Sequence, residues 1–533
     1  MCGGFMNFNV KGFINGNIYV SFKPLRVVSA LVSYNGRIIY AGNSNKAKRL
    51  VVLFNGRIID LEGKTVIPGF VDSHVHLDSL GLSLNTLDLR GVDSISGLKE
   101  RLRKYYEGHK DFTWIIGRGW DQELFIEKRW PNHWDLDEVI SDKPVFLERI
   151  CGHAAVVNTK ALEVTGLLEK IPESAYFLKN ENKTLTGVVV EDAVDFFRNR
   201  LVYNFDEKLK MLRDALFYAA SLGVTMNGFV SCSPETFNIL QILKMMEGLP
   251  ARVRVYMNAS ALDSLLSLGI RRSFGDEYLQ IMGIKLFTDG SLGARTAWLT
   301  EPYNDDSKTS GIPTIEEEEL INLVRKAHDG GLQLAIHAIG DKAIDKVLNA
   351  YSHLGNNLAK YRHRIEHASV IRSDQIEKMS KLGVSAAVQP HFIMSDWWAV
   401  KRVGEKRAPW VYPFKSMVKS KINIGFSTDS PVEPLNPWET VYAAVTRGGK
   451  NVDLYKYTMK EKFSVSEALH YYTAGSAYLL FEDENTGTLQ KGKYADFIVI
   501  DKDPLEVEIE ELRSIKTLMT VVSGNAVFSQ FSP

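Results

Sequence analysis

A repeated unit constrains the fold of this chain more than any other feature. Short apolar segments that end in polar residues recur along the sequence, and stretches with helical spacing lie between most of them. Alternating strands and helices favour a parallel sheet, and eight such strands favour a closed (β/α)₈ barrel. The eight segments are VIPGFVDSHVH (66–76), VTMNGF (224–229), RVRVYMNAS (252–260), QIMGIKLFTDG (280–290), LQLAIHAIGD (332–341), HRIEHAS (363–369), VSAAVQPHF (384–392) and NIGFSTDSPV (423–432).

The two chain ends have a different pattern, with short strand-like segments punctuated by Gly and Asn. We expect residues 1–65 and 486–533 to form one small composite β-sandwich beside a catalytic barrel of residues 66–485. About 150 residues separate the first two strand segments, far more than a βα loop needs. Residues at about 80–205 are therefore predicted to form a large insertion over the barrel mouth.

Composition excludes several classes of protein. Lys+Arg and Asp+Glu both number 64, so no global charge would recruit nucleic acid or an anionic membrane. No apolar run reaches the roughly 18 residues of a membrane span, and the N-terminus lacks the pattern of a signal peptide. The three cysteines are scattered, which fits a reducing compartment. We expect a cytoplasmic protein that acts on a small molecule, and a homo-oligomer is compatible with the sequence.

Histidines concentrate where the predicted strands end. The chain has 12 histidines, and five of them lie at or just beyond such an end. One such histidine is more often a hydrogen-bonded core residue than a ligand. The carboxyl ends of barrel strands converge on one mouth, however, so five together indicate a shared site. The five are His74, His76, His337, His367 and His391.

Residues two apart in a strand point the same way, so His74 and His76 can offer their imidazoles to one ion. Lys285 interrupts the apolar run IMGIKLF, and a buried lysine is costly unless its amine is neutralised or paired. Asp429 lies at the end of the eighth strand, within GFSTDSP, where a carboxylate could bind a metal and also accept a proton from water. Imidazoles and a carboxylate are the ligands that Zn²⁺ favours.

With these residues in place, the chain resembles the amidohydrolase superfamily. More narrowly, it is similar to the branch of metal-dependent hydrolases that includes N-substituted formamide deformylase. The resemblance covers nearly the whole chain. Beside PGFVDSHVH and GTLQKGKYADFIVID, its motifs are GRGWDQELF (117–125), RICGHAAVVNTKAL (149–162), KLFTDGSLGARTA (285–297), IHAIGD (336–341) and STDSPVEPLNP (427–437).

This resemblance implies a metal-binding (β/α)₈ barrel with two divalent ions, Zn²⁺ first and Mn²⁺ or Fe²⁺ as alternatives. His74, His76 and Asp429 would bind one ion, and His337 and His367 the other. Lys285 would bridge both ions as a carbamate formed with carbon dioxide. The implied reaction is cleavage of an amide or formamide-like C–N bond by a metal-activated hydroxide, with Asp429 as the general base.

Other residues are candidates for contacts with substrate. His391 and His153 could donate to the oxygen of a tetrahedral intermediate. Trp120, Asp289 and Arg295 lie in motifs shared with the branch, although Trp120 could equally be a core residue and the other two a structural ion pair. Cys151 stands where the branch usually has Asp, which changes any polar contact made there.

Two other functions compete with this hypothesis. A mononuclear deaminase on the same barrel would need a glutamate near the histidine of the fifth strand, and IHAIGD has none. It would also leave Lys285 without a role. A non-catalytic barrel used for assembly should have lost ligands, whereas all six residues of the expected set are present.

Overall fold

The computed structural model describes residues 10–170, 173–174, 176–355 and 358–530. These residues form two compact units. Residues 80–214 are the inserted unit, and the residues on either side of it, 10–79 and 215–530, form the barrel unit. None of the helices in the described ranges is long and apolar enough to cross a membrane.

Eight parallel strands form a nearly closed barrel, as the sequence predicts. Neighbouring strands are hydrogen-bonded in the order β8-β7-β6-β5-β4-β3-β2-β1, and a short strand, Phe274–Gly275, pairs antiparallel with β4. The strands are β1 (Phe70–Val75), β2 (Val224–Cys232), β3 (Arg252–Asn258), β4 (Leu279–Phe287), β5 (Gln333–Ala338), β6 (Arg364–His367), β7 (Ser385–Val388) and β8 (Ile424–Phe426).

The seam between β1 and β8 is closed just beyond the strand ends. The backbone N–H of Asp429 donates to the carbonyl of His74 at 2.9 Å, and the N–H of His76 donates to the carbonyl of Ser430 at 2.9 Å. Asp429 lies three residues past Phe426, so it belongs to the loop after β8 and not to the strand itself. These two hydrogen bonds bring the end of β1 and the loop after β8 together at the mouth of the barrel.

The first predicted strand is divided between two sheets. Thr65–Pro68 pairs with Phe497–Ile500 in a side sheet, and only Phe70–Val75 enters the barrel. Gly69 lies between them and packs closely on Thr225, whose side chain would be 2.3 Å from any added Cβ. The chain passes from the side sheet to the barrel at Pro68–Gly69, although the apolar run in the sequence is uninterrupted there.

Both chain ends contribute to the predicted sandwich. Phe13 and Leu31 of one sheet pack against Ile18, Phe497 and Val521 of the other, which forms a separate core. The four-stranded sheet has the order Arg37–Gly42, Ala30–Tyr34, Val10–Ile14, Arg57–Asp60; the six-stranded sheet has the order Asn525–Ser529, Thr517–Val522, Phe497–Ile500, Thr65–Pro68, Asn17–Phe22, Leu25–Val28.

The helix that follows β2 begins and ends at ordinary sequence signals. In Pro234–Glu247, the hydroxyl of Ser233 accepts from the N–H of Thr236, proline occupies the first turn, and Gly248 ends the helix at φ 80°. The other α-helices of the barrel unit, two of which continue into the inserted unit, are Ser44–Leu53, Leu77–Leu84, Phe205–Ser221, Leu262–Ser267, Glu317–Asp329, Asp341–Ser352, Ser373–Leu382, Phe392–Ser395, Ala399–Val403, Phe414–Lys419, Pro437–Thr446, Tyr455–Thr458, Val465–His470 and Ser476–Leu479.

The inserted unit has its own sheet and its own core, and the insertion predicted at about 80–205 lies within it. Its helices are Ile95–Glu107, His133–Asp137, Thr159–Val164 and Asp192–Arg198. The strand order is Phe177–Lys179, Leu185–Val190, Ala154–Val157, Val145–Arg149, Ile115–Trp120, Leu87–Asp88.

A buried histidine outside the mouth makes the fold sensitive to acid. Nδ1 of His363 accepts the backbone N–H of Leu334 at 3.1 Å, and its Nε2 lies 2.9 Å from Nδ1 of His328. Burial, together with the smaller effects of His328 and Arg272, lowers the pKa of His363 from 6.5 to about 3. The unfolded chain therefore binds a proton between pH 6.5 and about 3 that the folded protein excludes.

We predict that this site costs the protein stability as the pH falls through that window, by about 1.4 kcal/mol per pH unit at most. His363→Asn keeps an acceptor near Nδ1 but cannot titrate, so its Tm should fall less between pH 7 and pH 5 than that of the wild type. His353→Asn, at an exposed histidine, is the control. Equal acid sensitivity of wild type and His363→Asn would contradict the assignment.

Candidate metal centre

Three predicted ligands meet at the barrel seam. His74 lies near the end of β1, His76 follows that strand, and Asp429 lies in the loop after β8. Oδ1 of Asp429 is 3.2 Å from Nε2 of His74 and 3.2 Å from Nε2 of His76. The three ligand atoms all lie within 4.8 Å of one another, a spacing that suits a shared ion.

The other predicted ligands lie beside this group. The ring centroids of His337 and His367 are 4.6 Å apart, and those of His74 and His367 are 4.9 Å apart. Nζ of Lys285 lies 3.5 Å from Nε2 of His74. The structure therefore brings all six predicted residues into one cluster at the mouth.

Two of these residues have a backbone conformation that L-amino acids rarely adopt. His367 has φ 70° and Asp429 has φ 61°. Asp429 is held by its backbone bond to His74, and the residue after His367 donates its N–H to the carbonyl of Ala338 at 3.1 Å. Non-glycine residues in this region cluster at functional sites, where the surrounding structure holds them in place.

Three of the four imidazoles, those of His74, His337 and His367, are oriented by a hydrogen bond to one of their nitrogens. Nδ1 of His74 donates to Glu366, Nδ1 of His367 donates to Oε1 of Gln389 at 2.9 Å, and Nε2 of His337 donates to the carbonyl of Gly290 at 3.0 Å. These bonds leave the other nitrogen of each ring for an ion, which is the arrangement usual for metal-binding histidines.

The sequence hypotheses did not include Glu366 or Gln389 in this centre. Glu366 is fully buried, and its Oε1 lies 2.7 Å from Nε of the equally buried Arg364. The sequence signal that could have identified Glu366 is the opposite charge of Arg364, two residues before it in the buried strand β6. Gln389 follows β7, and its amide also donates to Ser427 at 2.9 Å.

Burial and neighbouring charges favour the metal-binding protonation states of Asp429, His74 and His367. Burial works against the charge on Asp429, but His74, His76 and His367 hold the pKa of its carboxyl well below the usual range. Burial also lowers the pKa of His74, and the pKa of His367 is well below its ordinary value for the same reason. These shifts favour neutral imidazoles at His74 and His367 beside an ionised Asp429, the protonation states that metal ligation requires.

Lys285 is buried to the same extent as its neighbours. Its exposed fraction is 1%, and burial lowers the pKa of its amine to about 8. The carboxylates of Glu366 and Asp429 favour the charged amine, but their effect is smaller than the cost of burying it.

The sequence matches the amidohydrolase family over residues 57–528. The chain belongs to this family. Putative amidohydrolase YtcJ of Bacillus subtilis (strain 168) is 32% identical over 536 residues, which cover 97% of this chain and 98% of that protein. N-substituted formamide deformylase of Arthrobacter pascens is 24% identical over 531 residues, which cover 96% of this chain and 97% of that protein.

A solved structure agrees with this assignment. The crystal structure of an uncharacterized metal-dependent hydrolase from Pyrococcus horikoshii OT3 matches with a TM-score of 0.81 and 44% identity, over 94% of this chain and 99% of that one. The resemblance predicted from the motifs is confirmed, and the protein is a metal-dependent hydrolase of the amidohydrolase superfamily. Enzymes of this family act on small molecules.

Asp289, a predicted substrate contact, has its carboxylate occupied within the amidohydrolase itself. It accepts the N–H groups of Ile339, Gly340 and Trp298 at 3.0, 2.8 and 2.9 Å, and its Oδ1 lies 3.4 Å from Nε2 of His337. These bonds fix the segment after β5 and the ring of His337. These bonds give Asp289 a positioning role, and its contact with substrate stays a prediction.

Arg295 forms a structural ion pair, but its partner is Asp305 and not Asp289. Its guanidinium donates to the two oxygens of Asp305 at 3.2 and 3.0 Å. His391 is also paired, because its Nδ1 donates to Glu433. Glu433 lines a cavity beside the ligand cluster, and His391 is not among the described residues of that lining. The substrate contacts proposed for both residues remain predictions.

Two further candidates, Trp120 and His153, lie in the inserted unit. Trp120 is fully buried in the core of that unit, and its indole N–H donates to the carbonyl of Leu147 at 2.8 Å. His153 is largely exposed and pairs with Glu191 at 3.1 Å. The exposed Cys151 accepts the backbone N–H of His153 at 3.4 Å. The roles of Trp120 and His153 toward substrate stay predictions.

A cavity of about 420 Å³ adjoins the ligand cluster. Aromatic and aliphatic side chains form most of its wall, and carboxylates and hydroxyls lie among them. In addition to the predicted ligands His76, Lys285, His337, His367 and Asp429, its lining consists of Phe287, Ser291, Leu292, Gly293, Ile339, Ser369, Phe392, Ser395, Asp396, Tyr412, Val432 and Glu433.

We predict that Glu366→Gln weakens metal binding by about 10- to 100-fold, because the ring of His74 loses its charged acceptor. Competition with a chelator, followed by metal analysis, measures this change. Glu433→Gln is the matched control, since Glu433 also accepts from the Nδ1 of a histidine, but of His391 outside the cluster. An equal loss of affinity in both variants would contradict a specific role for Glu366.

Proposed function

We propose that this amidohydrolase cleaves a non-peptide C–N bond, in an amide or formamide-like substrate, with two divalent ions at the barrel mouth. The observation that carries the proposal is the convergence of four histidines, Asp429 and Lys285 on one cluster beside a cavity. The relationship to N-substituted formamide deformylase supports the bond type. The two described cysteines are free thiols, which supports a cytosolic location.

The donor set fits borderline divalent ions. His74, His76 and Asp429 offer two imidazole nitrogens and a carboxylate oxygen, the ligands that Zn²⁺ prefers, and Mn²⁺ or Fe²⁺ are alternatives. His337 and His367 would hold the second ion. Bound ions of this kind lower the pKa of water from about 15.7 to roughly 7 and polarise a carbonyl group.

Lys285 would join the two halves of the centre as a carbamate. The neutral amine attacks carbon dioxide, the new N–C bond forms, and one proton leaves to solvent. The product is an anion with two oxygens, which can contact two cations at once. The burial of Lys285 supports this modification, because an anion between cations is stable where a lone ammonium group is not.

Asp429 would move the proton. Its carboxylate is ionised and lies at the mouth, so it can accept a proton from the attacking water and pass it to the nitrogen of the leaving amine. Protonation of that nitrogen lets the C–N bond break without expelling an amide anion. The apolar cavity wall excludes water from the rest of the substrate.

The direct test is a panel of N-acyl amines, formamides, lactams and esters, assayed with enzyme loaded with Zn²⁺ or Mn²⁺. We expect hydrolysis of at least one amide or formamide and slower hydrolysis of the matched ester. A preference for esters, or deamination of a heterocycle with no amide turnover, would contradict the proposed bond type.

Lys285→Ala should lose bound metal and activity together, and bicarbonate with a short-chain carboxylic acid should partly restore both. Metal analysis and rate measurements on the same samples check this outcome. Lys346→Ala is the control, because Lys346 is another buried lysine but lies in the helix Asp341–Ser352. Finding unmodified Lys285 in active, metal-loaded enzyme by mass spectrometry under native conditions would defeat the carbamate assignment.

Asp429→Asn should retain much of its metal, since an amide oxygen can still coordinate, but the amide cannot accept a proton. Its kcat should fall by about 10² to 10⁴, the usual contribution of a positioned acid–base group. Metal content measured beside kcat separates loss of the base from loss of the ion. Near-normal kcat with metal bound would show that another residue at the mouth, such as His391, carries the proton.

A further inference from the structure

Among the described residues, no cation forms an ion pair with Asp396, a carboxylate in the wall of the cavity. Asp396 ends the short helix Phe392–Ser395 and lines the cavity beside Phe392 and Tyr412. Its Oδ2 accepts the hydroxyl proton of Tyr412, which is a neutral donor. This bond leaves Oδ1 for a group that enters the cavity.

The neighbouring charges do not neutralise Asp396. Glu433, the second carboxylate of the wall, already accepts from His391 and from the hydroxyl of Ser395. Arg402 is a nearby cation, but it forms an ion pair with Asp305. Burial and, to a lesser extent, Glu433 raise the pKa of Asp396 to about 6, against the opposing effects of Tyr412 and Arg402.

The position of Asp396 relative to the ligand cluster is set by a row of rings. The centroid of Phe392 lies 6.3 Å from that of His367, and Phe392 stacks on Tyr412 with centroids 6.5 Å apart and an interplanar angle of 14°. The hydroxyl of Tyr412 then meets Asp396. An apolar wall therefore leads from the predicted metal ligands to a carboxylate, and a short alkyl chain would lie along it.

We infer that Asp396 selects substrates that carry a protonated amine a short alkyl chain away from the scissile C–N bond. The ammonium group would donate to Oδ1 of Asp396, and the face of the Tyr412 or Phe392 ring would lie against the intervening carbons. This inference rests on the proposed amide hydrolysis and adds the substrate class. It makes Asp396 a specificity residue and gives it no part in bond cleavage.

A pair of substrates of the same shape tests the inference. N-(dimethylaminoethyl)formamide is cationic at neutral pH, and N-isopentylformamide is its neutral isostere. The wild-type enzyme should prefer the cationic compound by roughly 10- to 100-fold in kcat/KM, the worth of a hydrogen bond to a charged group. Asp396→Asn, which keeps the shape of the side chain, should bring this ratio close to one.

Two further variants separate direct contact from a general negative charge. Tyr412→Phe keeps the carboxylate and should preserve the preference, while Glu433→Gln should change it much less than Asp396→Asn does. Equal kcat/KM for both formamides in the wild type would overturn the inference. Loss of the preference in Glu433→Gln but not in Asp396→Asn would overturn it as well.

A binding measurement keeps the two proposals distinguishable. If the metal-loaded enzyme hydrolyses neither formamide, formamide cleavage is contradicted, and calorimetric titration with the same two compounds still tests Asp396. Tighter binding of the cationic compound to wild type than to Asp396→Asn supports the inference without hydrolysis. Equal or undetectable binding of both compounds to the two proteins would overturn it.

Discussion

The barrel seam is the contact on which the site depends. Asp72 accepts the backbone N–H of His74 at 3.1 Å and the hydroxyl of Thr428 at 2.6 Å, which ties the ends of β1 and β8 together. Burial raises the pKa of Asp72 to about 7 even though these donors oppose the shift. Because His74 and Asp429 come from opposite sides of this seam, their 3.2 Å approach exists only when the barrel is closed. Closure of the barrel therefore brings together the ligands at its two edge strands, His74 and Asp429.

Much of the architecture could be predicted because each barrel strand is a local pattern. An apolar run with polar residues at its end identifies the strand and also the side of the barrel on which its last residues lie. His337 illustrates the strength of this rule, since its position near the end of β5 predicted that it would lie at the mouth. The division of Val66–Val71 between two sheets escaped prediction, because both pieces are apolar and buried.

The contacts that complete the site could not be predicted in the same way. Glu366 and His74 are 292 residues apart, and Gln389 orients His367 from the adjacent barrel segment. Such pairs depend on side-chain directions across the barrel, which spacing within one strand does not reveal. The same limit applies to Asp289 and Arg295. Their motif placed them near the mouth, but only the structure shows that their polar groups bind backbone N–H groups and Asp305.

The central claim is that the seam cluster holds two ions that act together. Its most direct measurement is a titration of metal-free enzyme with Zn²⁺ in the presence of bicarbonate, with bound metal and hydrolysis rate determined in each sample. We predict that the rate continues to rise until two ions are bound per chain. Full activity with a single bound ion per chain would contradict the account.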